Sequence, residues 1–85
     1  MPKIKHNVSV LGSGAWGTAL AQLISKNNSV LMWVKEKTVQ LDINQNHLNK
    51  KYLPGIKLNK KITGTNNLED LKHSEIIFLT VPVQY

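Results

Sequence analysis

The chain has 85 residues, the size of one small domain. It carries 11 basic and five acidic side chains, and its formal net charge of +6 favours anionic partners such as phosphorylated small molecules. It has no cysteine, which excludes disulfides and thiolate metal sites, and no apolar run approaches the roughly 20 residues of a membrane span.

The first predicted element is a short strand formed by Val8, Val10 and Leu11. The lysines before it and the apolar residues after it imitate a secretory signal, but serines and glycines interrupt the stretch. The lysine pairs Lys50–Lys51 and Lys60–Lys61 are expected to be solvated loop charges, because no helix face or strand gathers the lysines into a stripe as a nucleic-acid footprint would. We therefore expect a cytoplasmic protein that binds neither nucleic acid nor a membrane.

Three glycines follow this strand in the spacing G-x-G-x-x-G: Gly12, Gly14 and Gly17. In a dinucleotide-binding loop the first glycine allows a sharp turn, the second lets a pyrophosphate approach the backbone, and the third lets the helix lie close to the strand. The helix N-terminus then faces the anion. The motif is weak alone, but a strand before it and a helix after it provide the context it needs.

The helix is predicted to run from about Ala15 to Lys26, and Asn27 and Asn28 follow it, of a residue type that tolerates the left-handed conformation in which helices often end. Four apolar residues recur at helical spacing and predict its buried face: Trp16, Leu20, Leu23 and Ile24. Trp16 has two interpretations at this stage, because it fits either a core anchor or a wall of the cofactor crevice.

A second strand is predicted over Val30–Val34, with Trp33 in the core. The end of this strand lies about 20 residues after the first glycine, where an acidic residue binds ribose hydroxyls and a basic residue receives a 2′-phosphate. Lys35 comes first and favours NADPH, whereas the following Glu36 leaves NADH possible.

A second helix, capped by Thr38, is predicted from about Val39 to Leu48. It is followed by a type II turn around the stretch Tyr52–Gly55, because Pro54 and Gly55 suit the second and third positions of such a turn.

The last predicted elements are a third strand over Ile62–Thr65, a short helix near Leu68–His73, and a fourth buried strand over Ile76–Val81. Asn66 or Asn67 is predicted to cap the short helix.

This β-α-β-α-β-α-β order predicts an α/β fold, a Rossmann-like doubly wound parallel sheet of four strands in the spatial order 3-2-1-4. Its ligand crevice opens at the carboxyl ends of strands 1 and 4, between the glycine loop and Val81–Pro82. No further strand covers the outer edge of strand 4. We therefore expect a homo-oligomer or self-association through that edge.

Four stretches carry a more specific pattern: GSGAWGTALA, VLMWVK, YLPGIKL and IIFLTVP. Together they resemble the N-terminal part of NAD(P)-dependent glycerol-3-phosphate dehydrogenase of the bacterial type, over about Val8 to Val83. The resemblance implies that Ala15 and Trp16 touch the cofactor phosphates, that Lys35 lies near the adenosine ribose, and that Pro82 lies beside the cofactor. Ala15 stands where many members have serine.

The resemblance further implies that the parent enzyme transfers hydride between NAD(P)H and dihydroxyacetone phosphate, giving sn-glycerol 3-phosphate for phospholipid synthesis. Residues 1–85 would be a partial N-terminal dinucleotide-binding domain, with the C-terminal catalytic domain absent. We predict no catalytic and no metal-binding residue here, and expect the chain alone to be inactive. The alternatives are a stand-alone, non-enzymatic Rossmann module that binds a dinucleotide or a partner, and a small basic nucleic-acid-binding protein.

Overall fold

The structure, a computed structural model, describes residues 8–80. The elements in chain order are strand β1 (Val8–Leu11), helix α1 (Ala15–Ile24), strand β2 (Val30–Trp33), helix α2 (Lys37–Leu41) continued by a π-helical segment (Asp42–Asn46), strand β3 (Ile62–Thr65), a 3₁₀-helix (Leu68–His73) and strand β4 (Ile76–Leu79).

The four strands form one parallel sheet in the order β3-β2-β1-β4, which confirms the predicted topology. Val8 of β1 lies opposite Val30 of β2 and Ile76 of β4, so all the strands enter the sheet at the same level. Their carboxyl ends therefore meet at one edge of the sheet, where ligands of doubly wound folds bind.

The buried face of α1 matches the prediction only in part, since Ile24 packs against the core as expected. Gly17, Thr18 and Ala21 face the sheet, whereas Trp16 is 85% exposed and Leu23 is 61% exposed. Small residues occupy this face because they let the helix backbone approach β1, which is the role of the third glycine of the motif.

Side chains end α1 earlier than predicted. The helix stops at Ile24, where the Ser25 hydroxyl donates to Gln22 O at 2.7 Å and the Asn28 amide donates to Ile24 O at 3.3 Å. These bonds satisfy the last carbonyls of the helix, so a left-handed residue is not needed. Neither Asn27 nor Asn28 takes the left-handed conformation that asparagine tolerates, since His47 is the only non-glycine residue with a positive φ between positions 8 and 80.

The second helix also differs from the prediction, which placed it over Val39–Leu48 behind a Thr38 cap. It begins at Lys37, directly after the extended residue Glu36, and its last turn is π-helical. His47, with φ of 57°, ends the segment.

The π-helical segment positions two residues against the rest of the fold. Ile43 is fully buried in the core, and Asn44 lies beside the outer edge of β3. Asn44 Oδ1 accepts a hydrogen bond from Gly64 N–H at 2.7 Å, and Asn44 Nδ2 donates to Gly64 O at 2.9 Å. The Ile62 N–H donates to Asn59 O at 3.1 Å. Side chains and a turn thus satisfy the edge of β3 as a fifth strand would.

Helices cover both faces of the central strands. One face packs against α1, α2 and the π-helical segment around a core that includes Val10, Met32 and Ile43. On the opposite face the 3₁₀-helix buries Leu71, and the side chain of Asn67 caps it as predicted, by accepting from Glu69 N–H.

The prediction that the fourth strand is buried was wrong. All four residues of β4 are exposed, from 39% at Phe78 to 68% at Leu79. Their apolar character suits a strand covered on both faces, but no helix among residues 8–80 packs on it and no further strand pairs with its outer edge. The last predicted residues of this strand, from position 81, lie outside the described residues.

The Asn44 contacts make a specific prediction about the edge of β3. We expect Asn44→Ala to lower the free energy of unfolding by about 1 kcal/mol and to accelerate hydrogen exchange at the Gly64 amide. Urea denaturation and amide exchange measured by NMR check both effects. Gln45→Ala, at the exposed neighbouring position, is the control and leaves both unchanged. Unaltered exchange at Gly64 in Asn44→Ala would contradict this account of the edge.

Candidate functional site

The glycine loop joins β1 to α1 at the carboxyl edge of the sheet. Gly12 has φ of 130°, a conformation that side chains rarely tolerate, and its N–H donates to Trp33 O of β2 at 3.3 Å. A Cβ at Gly12 would lie 2.6 Å from Thr80 Oγ1 and 2.8 Å from Thr80 O. Gly12 is therefore required by the close approach of the chain after β4.

Gly17 is required for the same reason from the helix side. A Cβ there would lie 2.6 Å from both Gly12 O and Thr80 Oγ1. Thr80 completes the contact, since its N–H and its hydroxyl both donate to Leu11 O, at 3.0 and 3.2 Å. The first and third glycines of the motif thus serve packing at the point where the winding of the sheet reverses.

Gly14 differs from both. It is the N-cap of α1, with φ of −68° and ψ of −175°, and a Cβ there would meet no atom within 4 Å. The first hydrogen bond of the helix runs from Thr18 N–H to Gly14 O at 3.0 Å, so the earlier amides have no intrahelical acceptor. With no acidic residue in the first turn of α1, the open space over Gly14 fits an anion such as a pyrophosphate.

A buried asparagine that the sequence analysis missed holds this loop in place. Asn49 is 1% exposed, and its Nδ2 donates to Ser13 O at 3.0 Å and to Thr18 Oγ1 at 2.8 Å. Its Oδ1 accepts from Tyr52 N–H at 3.2 Å. A single asparagine in a lysine-rich loop has no periodicity or motif that marks it, so only the fold reveals that it links the glycine loop to the Tyr52 turn.

A second polar cluster lies just beyond the carboxyl end of β2. Glu36 accepts hydrogen bonds from the Lys51 ammonium and the Tyr52 hydroxyl, one on each carboxylate oxygen. These bonds, that of Lys51 first, lower the pKa of Glu36, and the Glu36 carboxylate raises the pKa of Tyr52 because it stabilises the protonated phenol. Lys51 was expected to be a solvated loop charge and is instead paired.

Comparison with known proteins identifies the fold around this loop. A family described as "NAD-dependent glycerol-3-phosphate dehydrogenase N-terminus" matches residues 7–85. The chain belongs to this family. Among curated relatives, the glycerol-3-phosphate dehydrogenase [NAD(P)+] of Neorickettsia sennetsu is 46% identical over 76 residues, and that of Macrococcus caseolyticus is 43% identical over 79 residues.

Solved structures of glycerol-3-phosphate dehydrogenases share the fold. The enzyme from Saccharomyces cerevisiae matches with a TM-score of 0.82 and 34% identity, covering 91% of this chain and 26% of that one. The enzyme from Coxiella burnetii matches with a TM-score of 0.77 and 30% identity, covering 88% of this chain and 24% of that one.

The chain therefore corresponds to the N-terminal NAD-binding part of glycerol-3-phosphate dehydrogenase. The match covers 88% of this chain and 23% of the Neorickettsia relative, and 91% and 24% for the Macrococcus relative. The chain thus spans about a quarter of the length of the curated relatives it matches.

The structure brings together most of the residues predicted for the cofactor of this dehydrogenase family. Ala15 and Trp16 are exposed in the first turn of α1, beside the open space over Gly14, so the interpretation of Trp16 as a core anchor was wrong. Lys35 is exposed immediately after β2. Pro82 lies outside the described residues.

Among residues 8–80, no three histidine, cysteine or acidic side chains come together in an arrangement that could hold a metal ion. None of the helices in the same range has the length and apolarity needed to cross a membrane.

The unequal roles of the glycines predict unequal effects on stability. We expect Gly17→Ala to destabilise the fold by about 1–3 kcal/mol, because its Cβ would overlap the backbone of Gly12 and the Thr80 side chain. Gly14→Ala is the matched control and is expected to cost less than about 1 kcal/mol, the loss of a favoured N-cap residue. Urea denaturation of both variants measures the difference. Equal effects would show that Gly17 is not the packing glycine.

Proposed function

We propose that residues 1–85 are the cofactor-binding domain of a glycerol-3-phosphate dehydrogenase, whose substrate chemistry depends on a further domain. The observation that carries the proposal is the open, amide-lined space over Gly14 at the N-terminus of α1. The proposed overall reaction is hydride transfer between NAD(P)H and dihydroxyacetone phosphate, giving sn-glycerol 3-phosphate for phospholipid synthesis. The expected cytoplasmic location belongs to the same proposal.

In this proposal the residues of the glycine loop either pack the helix against the sheet or bind the cofactor. The bound cofactor supplies the hydride. Gly12 and Gly17 hold α1 against Thr80, and the first-turn amides of Ala15 and Trp16 bind the pyrophosphate that the space over Gly14 admits. The cofactor-binding residues that we propose are Gly12, Gly14, Ala15, Trp16, Gly17, Lys35 and Pro82.

We propose NADPH as the preferred cofactor, with NADH as the possible alternative. Lys35 is exposed at the end of β2, where the charge next to the ribose decides between the two. Glu36, the acidic residue that favours NADH, already has both carboxylate oxygens hydrogen-bonded within the protein.

Titration with NADPH and NADH, followed by tryptophan fluorescence, tests cofactor binding. We expect saturable quenching by both, with tighter binding of NADPH, and loss of quenching in Gly14→Val because the side chain fills the pyrophosphate space. Ala19→Val places the same side chain at an exposed position of α1 and should retain binding. A folded chain that binds neither nucleotide would contradict the proposal, as would turnover of dihydroxyacetone phosphate by the 85-residue chain alone.

We further propose that the isolated chain self-associates through β4. This strand exposes four consecutive apolar residues, Ile76–Leu79, and no strand among residues 8–80 covers its outer edge. An uncharged, apolar edge strand is the kind that pairs with another chain.

Sedimentation velocity over a range of concentrations tests the self-association. We expect a concentration-dependent increase in sedimentation coefficient, and its suppression by Ile77→Lys, since lysine on an edge strand opposes pairing. Leu41→Lys places the same charge on an apolar side chain outside β4 with nearly the same exposure, 43% against 45% for Ile77, and should leave the association intact. A monomer at all concentrations would refute the proposal.

A further inference from the structure

We propose that Lys51 and Tyr52 set the cofactor preference by binding the Glu36 carboxylate, which leaves the positive charge of Lys35 to receive a ribose 2′-phosphate. The inference rests on the proposed dinucleotide function and deepens it. It assigns a specificity role to two residues of the loop after the π-helical segment, neither of which is expected to touch the phosphates.

The geometry first places Glu36 next to the ribose position. Gly12 N–H donates to Trp33 O, so the glycine loop lies directly beside the end of β2. Lys35 and Glu36 follow two and three residues later, and the Glu36 side chain is 32% exposed. A free carboxylate at this point would accept a hydrogen bond from a ribose 2′-hydroxyl and would repel a 2′-phosphate.

The carboxylate is not free. Lys51 Nζ donates to Glu36 Oε2, and the Tyr52 hydroxyl donates to Glu36 Oε1. Lys51 Nζ also lies 5.4 Å from the centre of the Tyr52 ring, a cation–π distance that keeps the three groups together. Both oxygens therefore have donors, and the negative charge of Glu36 is offset by the charge of Lys51.

The buried Asn49 amide fixes the turn that delivers these two donors. Its Oδ1 accepts from Tyr52 N–H, its backbone O accepts from Leu53 N–H at 2.9 Å, and its Nδ2 binds Ser13 O in the glycine loop. The backbone that carries the lysine and the tyrosine is thus tied by Asn49 to the glycine loop.

The electrostatic consequence is a local change of sign. With Lys51 paired to Glu36, the net charge of the group Lys35, Glu36 and Lys51 is +1 and favours a dianionic 2′-phosphate. Without Lys51 the remaining pair is neutral and an acceptor for the 2′-hydroxyl is exposed. At the separations of a ribose site, removal of one charge in a partly solvated setting changes affinity by about three- to tenfold.

Two nucleotides that differ by one 2′-phosphate provide the test: adenosine 2′,5′-bisphosphate and adenosine 5′-monophosphate. Their dissociation constants for the full chain are measured by NMR titration of backbone amides. We expect Lys51→Met to reduce the preference for the bisphosphate by about three- to tenfold, and Tyr52→Phe to reduce it by a smaller factor. Glu36→Gln is expected to increase the preference.

Lys50→Met is the matched control, because Lys50 carries the same charge on the adjacent residue but pairs with Asp42, at 3.8 Å. It should change the preference by less than about twofold, as expected for a charge farther from the ribose. If Lys50→Met and Lys51→Met have equal effects, the preference comes from net charge and the inference is wrong.

The double variant Glu36→Gln/Lys51→Met separates neutralisation from direct contact. If Lys51 acts through Glu36, the loss seen in Lys51→Met shrinks in the Glu36→Gln background to the less than about twofold of the Lys50→Met control, because a Lys51 side chain without its partner is 56% exposed and its charge is screened. An undiminished loss would show that Lys51 contacts the 2′-phosphate itself and would overturn the inference. If neither nucleotide binds the folded wild-type chain, the proposed function fails as well; binding with a preference unchanged in Lys51→Met refutes the inference alone.

Discussion

Three backbone segments meet at the carboxyl edge of the sheet at a separation that no Cβ atom could enter. Gly12 and Gly17 would each place a Cβ 2.6 Å from Thr80 Oγ1, so β1, α1 and the end of β4 can approach this closely only with glycine at both positions. This contact sets where α1 begins and how its axis meets the sheet. Between these two positions lies Gly14, the N-cap of α1, where a Cβ would meet no atom within 4 Å.

The loop from Asn49 to Tyr52 connects the parts of the site that the sheet leaves separate. Asn49 is buried and uses both amide hydrogens and its carbonyl oxygen, as a buried polar side chain must. Its bonds tie the glycine loop to the turn that carries Tyr52, and Tyr52 in turn binds Glu36 at the end of β2. The proposed phosphate and ribose positions are thereby joined through protein contacts. The sheet positions the ends of β1 and β2, and this loop links the residues that follow them, Ser13 and Glu36.

Sequence patterns predicted the strands, their order and the glycine loop because these follow from continuous apolar runs and from one motif with a known backbone role. They misjudged α1, where Trp16 and Leu23 obey helical periodicity yet point to solvent, because the close approach of Gly17 outweighs the area that large side chains would bury. The prediction that β4 is buried was based on its apolar residues, whereas the burial of a strand depends on what packs against it. The contacts of Asn49 and the Lys51–Glu36 pair could not be predicted, because contacts between residues 15 to 36 positions apart leave no local signal.

The two edges of the sheet are chemically unlike. At β3 the outward N–H groups of Ile62 and Gly64 are already bonded, to Asn59 O and to the Asn44 side chain, whereas β4 offers an apolar strand with no partner on its outer side among residues 8–80. Strand addition therefore has a single direction in this fold. In the proposed self-association, two copies that join edge to edge through β4 leave no open strand edge, so the assembly ends at a pair. In the same proposal the Asn44 side chain, which already bonds the outward groups of Gly64, opposes the further strand addition that a fibril would need.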